Sequence, residues 1–465
     1  MTEDRRHLPK PFYSTAKDSE SASPRLLLVS FHFPPGTAVG GLRWQQMAKH
    51  IVARGWGLDV ITRDPATLPA RDDGRLRGLP ENVRVFAIPQ PKRPLVGAPA
   101  RAWKAMKSRV PQTAPRLTVE LRREELQKQS LKQQVVRGYL AWLDYVESGA
   151  LAKSAARVAL QLAKNTKYVA VASSGPPHMA HEAARLIAHK IGIPLVLDFR
   201  DPWSMQERVG EYMASPVWFH FAEKYEKAAL HEASVVAMNT DPAKNALIAK
   251  YPEVRDKTIT VRNGCDDEAL PRVEKGDRFT IRFAGEIYID RDPRVVLRAA
   301  ARVVRKLGLT PRQFGFELIG LVEEFQGMPL STIAREEGLD GFVETGPYRP
   351  RAEALQFLAG ASMLLSLPQD SHLAIPAKIF EYARFDAWLL VLARPESATA
   401  QVLEGTDADV VAPDDVDRIT SVVRRRYQQF ARGERATPVA ADGRFDRVHQ
   451  AKKLLDRIEQ VAKGK

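Results

Sequence analysis

The segment Ile375–Tyr382 carries residues whose types and spacing suit the binding of a phosphorylated ligand. Pro376 fits the first position of a helix, where its missing N–H costs no hydrogen bond. Lys378 and Glu381 are three residues apart and therefore share one helical face. A helix N-terminus favours a phosphate, to which Lys378 adds a formal positive charge, and Glu381 can accept hydrogen bonds from a ribose diol. The segment predicts a nucleotide-diphosphate site; the alternative is an amphipathic helix with two solvated charges.

Two adjacent glycines, Gly40 and Gly41, follow the short apolar run Arg25–Ser30, which is typical of a buried parallel strand. Paired glycines let backbone N–H groups approach an anion because no Cβ stands in the way. The alternative is a plain tight turn. The segment is not the Gly-x-Gly-x-x-Gly fingerprint, so we do not expect a nicotinamide cofactor.

Further polar residues follow the predicted strands that begin at Tyr168 and Leu195. They are His178, His181, Arg200 and Asp201. Open α/β sheets bind ligands at the carboxyl ends of their strands, which makes these side chains candidates for a site. Two alternatives stay open: a lone histidine is often structural, and the neighbouring arginine and aspartate can form an ion pair that holds the end of the strand.

Length and composition point to a soluble chain with two domains. At 465 residues the chain exceeds what one core usually supports, and its 44% apolar and 27% charged residues are ordinary for a globular protein. The one cysteine, Cys265, excludes an internal disulfide and a multi-cysteine zinc site. No apolar run approaches the length of a membrane span, and residues 1–24 lack a secretory h-region. We therefore expect a disordered leader over 1–24 and a cytoplasmic protein.

Short apolar runs alternate with helical patterns along the chain, which predicts a doubly wound α/β architecture. The predicted strands are 25–30, 58–62, 83–88, 168–172, 195–199, 235–238 and 258–262, followed by 279–283, 316–319, 342–344, 362–366 and 388–392. Residues 445–462 predict one final helix. The expected domains are 25–270, with a basic helical insertion at about 91–150, and 271–435, with 436–465 packing back on the first domain.

A basic segment interrupts this alternation. The chain has a net charge of +14, and residues 92–137 hold twelve Lys or Arg against three Glu. Trp103, Lys104 and Lys107 belong to a mixture of apolar and cationic residues that suits a helix on an anionic membrane surface. The alternative is a solvated helical face. Aromatic residues are too few for stacking on single-stranded nucleic acid, so we expect no nucleic-acid partner.

Five segments in chain order carry a family resemblance. They are Leu28–Pro35 with Gly40–Trp44, Ser174–His178, Asp198–Trp203, Asn263–Asp266 and Ile375–Tyr382. Together they resemble a family-4-type retaining glycosyltransferase of GT-B fold, with two Rossmann-like doubly wound parallel-sheet domains facing a central cleft. The resemblance implies sugar transfer from a nucleotide-diphosphate sugar, without a metal or other cofactor, to a glycan, lipid-linked or small-molecule acceptor.

The resemblance also implies roles for individual residues. His178 would meet the sugar as the catalytic residue, with His181 as second choice. Five residues would bind the donor, and Arg200, Asp201 and Gly285 would support the site. The five are Gly40, Gly41, Arg291, Lys378 and Glu381.

The chain departs from the family pattern at two positions. Leu373 stands where the family often has the first glutamate of Glu-x7-Glu, and Glu286 follows Gly285 where a basic residue is usual. Two other functions therefore stay open: a sugar-nucleotide epimerase of the same fold, which needs no acceptor, and a non-catalytic scaffold. We expect a cytoplasmic enzyme that can sit on the inner face of the membrane.

Overall fold

A computed structural model describes residues 9–17, 23–89, 120–122, 130–206, 208–210, 214–265, 268–288, 291–367 and 372–464. The chain forms two compact units. The first comprises Met1–Arg262 and Arg447–Lys465, and the second comprises Asn263–Asp446. Trp103, Lys104 and Lys107 of the basic segment, for which we predicted a membrane contact, lie outside the described residues.

The described strands and helices alternate along most of the chain. The strands are β1 (Tyr13–Ser14), β2 (Arg25–Ser30), β3 (Gly57–Arg63), β4 (Val83–Ile88), β5 (Glu120–Arg122), β6 (Tyr168–Gly175), β7 (Leu195–Phe199), β8 (Arg208–Gly210), β9 (Val235–Met238), β10 (Thr258–Thr260), β11 (Phe279–Glu286), β12 (Phe314–Leu321), β13 (Glu324–Phe325), β14 (Met328–Pro329), β15 (Val343–Gly346), β16 (Met363–Ser366), β17 (Trp388–Leu392) and β18 (Asp409–Val411). The helices are α1 (Leu42–Ala53), α2 (Gly74–Arg77), α3 (Leu131–Leu162), α4 (Met179–Ile191), α5 (Pro216–Glu232), α6 (Asp241–Lys250), α7 (Arg294–Leu307), α8 (Leu330–Glu336), α9 (Arg351–Ala359), α10 (Ala377–Tyr382), α11 (Ala398–Leu403), α12 (Val416–Ala431) and α13 (Arg447–Lys463).

The first unit is built on a sheet with the strand order β1-β4-β3-β2-β6-β7-β9-β10. All neighbouring pairs are parallel except β1 with β4. Strands β2, β7 and β9 are buried along their whole length, as expected of central strands covered by helices on both faces. The described part of the chain also contains a separate antiparallel pair, β5 with β8.

The C-terminal helix α13 belongs to the first unit. Leu454 and Ile458 are fully buried in the same hydrophobic cluster as Trp44 and Met47 of α1. Arg54, just after α1, forms an ion pair with Asp456 of α13. An apolar stripe at helical spacing therefore anchors α13 beside the first crossover helix.

The second unit is built on a parallel sheet with the order β15-β12-β11-β16-β17-β18. Aromatic side chains from three of these strands meet in its core. The rings of Phe279 and Phe314 stack at 5.7 Å between centroids, and Trp388 lies 6.1 Å from Phe279. Helices α7 and α12 supply Val303 and Val423, both fully buried, to the same cluster.

Three of the differences between the structure and the sequence prediction follow from strand pairing. Tyr13 and Ser14, inside the predicted disordered leader, form β1 and pair with β4. Strand β6 continues through the predicted loop as far as Gly175, because its neighbours β2 and β7 continue to pair with it. Strand β11 likewise continues through Gly285, which was predicted to lie in a loop, because Gly285 pairs with Gly320.

Candidate functional site

Lys378 occupies a small niche at the end of β11 in the second unit. Its Nζ donates a hydrogen bond to the carbonyl oxygen of Ala284 at 3.2 Å and lies 4.3 Å from the centroid of the Phe283 ring. The hydroxyl of Tyr382 accepts from the Ala284 amide at 3.0 Å and lies 3.2 Å from its carbonyl oxygen. Helix α10 thus presents Lys378 and Tyr382, one turn apart, to the same strand end.

Two glycines make room for this ammonium group. Gly285 has a φ of +150°, and a Cβ built on it would lie 2.5 Å from the Nζ of Lys378. Gly320, its partner on β12, has a φ of +119°, and a Cβ there would lie 2.1 Å from the Gly285 carbonyl oxygen. Both positions therefore require glycine on steric and on backbone grounds.

Burial and the charges around Lys378 together set the pKa of its ammonium group. Burial, followed by the positive charge of Arg291, lowers the pKa of Lys378 to about 7, although Glu286 and Glu381 act in the opposite direction. Within the described part of the chain, no carboxylate lies at ion-pair distance from Nζ. Arg291 donates to the Glu286 carbonyl oxygen at 3.1 Å and stacks on the Tyr288 ring. This strand end therefore combines two cations and can accept an anion.

Glu381, the predicted ribose ligand, is held by Arg351. The Oε2 of Glu381 accepts from the Nη1 of Arg351 at 2.6 Å, and Nη2 of the same guanidinium lies 3.1 Å from Glu268. This bridge orients the Glu381 carboxylate from one side. The sequence carries no local signal for the contact, because the two partners lie thirty residues apart.

A buried carboxylate, Asp198, holds together the carboxyl ends of the central strands in the first unit. Arg43 contacts it through Nε at 3.0 Å and through Nη2 at 2.8 Å, and the indole N–H of Trp44 donates to it at 2.7 Å. Ser174 adds a hydrogen bond at 3.2 Å. Burial raises the pKa of Asp198, but Arg43 and Trp44 outweigh it and keep the pKa below its ordinary value.

Sequence reasoning assigned no site role to Arg43 or Asp198. The available signal was a carboxylate inside an otherwise apolar run, which requires a partner once it is buried. The structure shows that this partner is Arg43, which directly follows the two glycines and Leu42. Asp198 therefore ties the glycine segment to β7.

His178 and His181 lie side by side beneath the loop that follows β6. The His178 ring stacks on Trp203 at 5.2 Å, and Nδ1 of His181 lies 2.8 Å from the Ser173 hydroxyl. Burial, followed by the charge of Arg200, lowers the pKa of His181 to about 3, although Asp198 acts in the opposite direction. Burial, then His181 and Arg200, lowers the pKa of His178 well below its ordinary value. Both imidazoles are therefore neutral near pH 7.

Among the described residues, two of these ring nitrogens have no hydrogen-bond partner: Nδ1 of His178 and Nε2 of His181. Both nitrogens lie close to Gly175. A Cβ at Gly175 would lie 2.7 Å from the former and 2.5 Å from the latter. The absence of a side chain at this position leaves space beside two polar ring atoms, which suits contact with a hydroxyl group.

Arg200 packs against the glycine segment. A Cβ at Gly40 would lie 1.7 Å from the Nη1 of Arg200, and one at Gly41 would lie 3.3 Å from the His32 carbonyl oxygen. Nη2 of Arg200 donates to the Pro176 carbonyl oxygen. The ion pair with Asp201 that the sequence left open is not formed, and burial raises the pKa of the Asp201 carboxyl group.

The structure thus brings together predicted residues within each unit. In the first unit they are Gly40, Gly41, His178, His181, Arg200 and Asp201, and in the second they are Gly285, Arg291, Lys378 and Glu381. In the described part of the chain, no group of three or more His, Cys, Asp or Glu side chains is arranged to hold a metal ion.

Comparison with known proteins gives matches in structure alone. No protein-family model matches the sequence, and no curated protein matches it significantly. Solved structures do match over nearly the whole chain. Sucrose-phosphate synthase from Thermosynechococcus elongatus superposes with a TM-score of 0.57 at 13% identity, covering 95% of this chain and 100% of its own.

Two further structures are similar to the same extent. HepE from Anabaena, solved in complex with UDP and glucose, gives a TM-score of 0.54 at 13% identity, covering 95% of this chain and 99% of its own. The α,α-trehalose 6-phosphate synthase from Burkholderia multivorans gives the same TM-score, identity and coverage. With two Rossmann-like parallel-sheet units and these likenesses, the chain has the GT-B fold of glycosyltransferases.

Proposed function

We propose that this protein is a retaining, metal-independent glycosyltransferase that uses a nucleotide-diphosphate sugar. The observation that carries the proposal is the niche of Lys378. A partly buried ammonium group beside Arg291, without a carboxylate partner among the described residues, is destabilising unless an anion binds there. A donor diphosphate supplies that anion, and the GT-B fold is a fold of enzymes that use such donors.

The residues of the second unit suit the departure of the diphosphate. When the bond between the anomeric carbon and the diphosphate oxygen breaks, the electron pair leaves with the nucleotide. Lys378 and Arg291 then stabilise the added negative charge. The acceptor hydroxyl forms the new glycosidic bond, and its proton passes to the departing diphosphate oxygen. Glu381, oriented by Arg351, binds the nucleotide ribose.

The first unit supplies the groups that act on the transferred sugar and the acceptor. His178 is neutral at physiological pH and has a buried ring nitrogen without a protein partner in the described chain, so it can bond to a sugar hydroxyl. His181, Asp201 and Arg200 support this loop. Gly40 and Gly41 let their backbone approach the ligand. The acceptor class includes glycans, lipid-linked sugars and small molecules.

A location on the cytoplasmic face of the membrane belongs to the same proposal. It rests on the basic composition of residues 92–137, which would bind anionic lipid. No helix in the described part of the chain combines the length and hydropathy that a bilayer crossing needs.

A binding screen followed by a transfer assay tests the proposal. Because HepE was solved with UDP and glucose, uridine diphosphate is the first nucleotide to test. We expect at least one nucleoside diphosphate to raise the melting temperature, and its sugar conjugate to be consumed only when an acceptor is present. Consumption to a new sugar nucleotide without acceptor would indicate the epimerase. Failure of every nucleoside diphosphate to bind would favour the scaffold, for which Leu373 is the sequence argument.

A further inference from the structure

Two partly buried guanidinium groups in the first unit lack charged partners among the described residues. Neither Arg63 nor Arg200 has a described carboxylate at ion-pair distance, and the Nε of each is buried without a hydrogen-bond partner. Asp144 acts on Arg63, and Asp198 and Asp201 act on Arg200, from a greater distance. A buried N–H without a hydrogen-bond partner is costly in a folded protein unless a ligand accepts from it.

The sheet brings both groups to one edge. In the register of β2 with β3, Val29 pairs with Ile61. Arg63, at the end of β3, therefore lies level with Phe31, next to His32 in the segment that follows β2. Arg200 follows β7, but its guanidinium donates to the carbonyl oxygen of Pro176, which follows β6. Strands β3 and β6 are the two neighbours of β2, the strand that His32 follows, and the charges of both arginines act on His32.

The positive charges of Arg63 and Arg200 both act on His32. Burial, then Arg200 and Arg63, lowers the pKa of His32 to about 4, so the ring is neutral at pH 7 and keeps one N–H donor. Of the carboxylates that act on these arginines, Asp198 already binds Arg43 and Trp44, and Asp144 and Asp201 lie beyond ion-pair distance of them. The edge therefore presents donors to a ligand, without a carboxylate paired to either guanidinium.

We propose that Arg63, His32 and Arg200 form an anion site in the first unit that binds a phosphate group on the acceptor. This inference rests on the proposed glycosyl transfer and specifies its acceptor class as a phosphate ester. Phosphate fits because planar guanidinium groups donate two parallel hydrogen bonds to its oxygens. A neutral hydroxyl would leave both charges uncompensated. The donor diphosphate is the other source of the same chemistry.

Calorimetry on the full-length protein distinguishes binding of an acceptor phosphate from binding of the donor diphosphate. The probes are inorganic phosphate, a hexose 6-phosphate, the parent hexose and UDP. We compare the parent protein with Arg63→Met, Arg200→Met and Lys378→Met, and use Lys190→Met, which removes an exposed charge from the same unit, as the control. Methionine keeps much of the aliphatic volume and removes the charge.

We expect the parent to bind inorganic phosphate and to prefer the hexose 6-phosphate to the hexose. Arg63→Met and Arg200→Met should each weaken phosphate binding about tenfold or more, and Arg63→Met should leave UDP binding within about twofold. Lys378→Met should weaken UDP binding and leave phosphate binding within about twofold, and Lys190→Met should change the binding of neither ligand. Both arginine variants should melt close to the parent temperature, because each guanidinium is partly exposed and has no ion-pair partner among the described residues.

Other results would overturn the inference. Phosphate that fails to bind the parent, or binds both arginine variants as it binds the parent, would exclude the site. A loss of UDP binding in both arginine variants, equal to the loss of phosphate binding, would assign the two residues to the donor. A large drop in melting temperature would assign them a structural role. If UDP binds neither the parent nor any variant while phosphate binding follows the expected pattern, the proposed donor is refuted instead.

Discussion

Replacement of Lys378 by methionine should weaken nucleotide binding and stabilise the protein at the same time. In the free protein the ammonium group is partly buried, and among the described residues it contacts one carbonyl oxygen and one aromatic face. Methionine keeps a flexible apolar chain that can pack on Phe283, and it removes the charge. A structural lysine would show the opposite pattern, with lower stability and unchanged binding.

The magnitude follows from the pKa. The pKa of Lys378 falls from 10.5 to about 7. Since one pKa unit is worth about 1.4 kcal/mol, placing the charged form in the folded protein costs about 5 kcal/mol. If the variant recovers half of this, the gain of about 2.5 kcal/mol raises the melting temperature of a domain of this size by about 5–10 °C.

The pH dependence has a definite sign. Because the folded pKa lies below the unfolded value, the unfolded chain binds more protons between about pH 7 and 10.5. The parent protein therefore gains stability as the pH rises through this window, and the advantage of the variant shrinks over the same window. Affinity of the parent for UDP should fall by up to about tenfold per pH unit above 7, since the ligand binds the protonated lysine.

Calorimetry with UDP and thermal unfolding, both from about pH 7 to about pH 9, measure these effects. At pH 7 the loss of one charge-assisted contact, about 1.5–3 kcal/mol, should weaken UDP binding by roughly one to two orders of magnitude. Lys306→Met, which removes an exposed lysine from the same unit, is the matched control. Unchanged UDP affinity in Lys378→Met, or a lower melting temperature with normal affinity, would refute the reasoning.

Three further predictions concern the ribose, the metal and the membrane. Glu381→Gln keeps the shape of the side chain but makes it a weaker hydrogen-bond acceptor, so binding of UDP should fall more than binding of its 2′-deoxy analogue in calorimetry. Equal losses for the two nucleotides would argue against a contact between Glu381 and the ribose. Sugar transfer should continue in EDTA, as followed by chromatography, and complete loss with rescue by manganese would contradict the assignment. The protein should bind anionic vesicles in a sedimentation assay and be released by salt, and Lys104→Glu with Lys107→Glu should weaken this binding; equal binding to neutral vesicles would argue against a charged interface.

Much of the fold could be predicted because burial in a parallel sheet leaves a local mark. The runs Arg25–Ser30, Val83–Ile88, Leu195–Phe199, Val235–Met238 and Trp388–Leu392 are confirmed as strands with the predicted bounds. Each is a mainly apolar run, as is typical of strands in a sheet that helices cover. The likeness to GT-B structures confirms the predicted fold class.

Strand ends were predicted less well because they depend on the neighbouring strand. Gly285 has no strand propensity of its own, yet it lies in β11 because Gly320 pairs with it. Tyr13 and Ser14 follow a polar segment and form a strand because β4 offers a free edge. Pairing across long separations in sequence, rather than local composition, decides these positions.

The sequence by itself determined which residue types reach the carboxyl ends of the strands, since apolar runs set the strands and the next polar residues must follow them. It predicted His178 and Arg200 in this way, and Lys378 from its place at the start of a helix. Only the tertiary structure decided how each is paired. Arg200 and Asp201 are neighbours in sequence but form no ion pair, while Glu381 binds the distant Arg351. Strand order and side-chain reach determine which charges meet, and electrostatic energy depends on those distances rather than on separation along the chain.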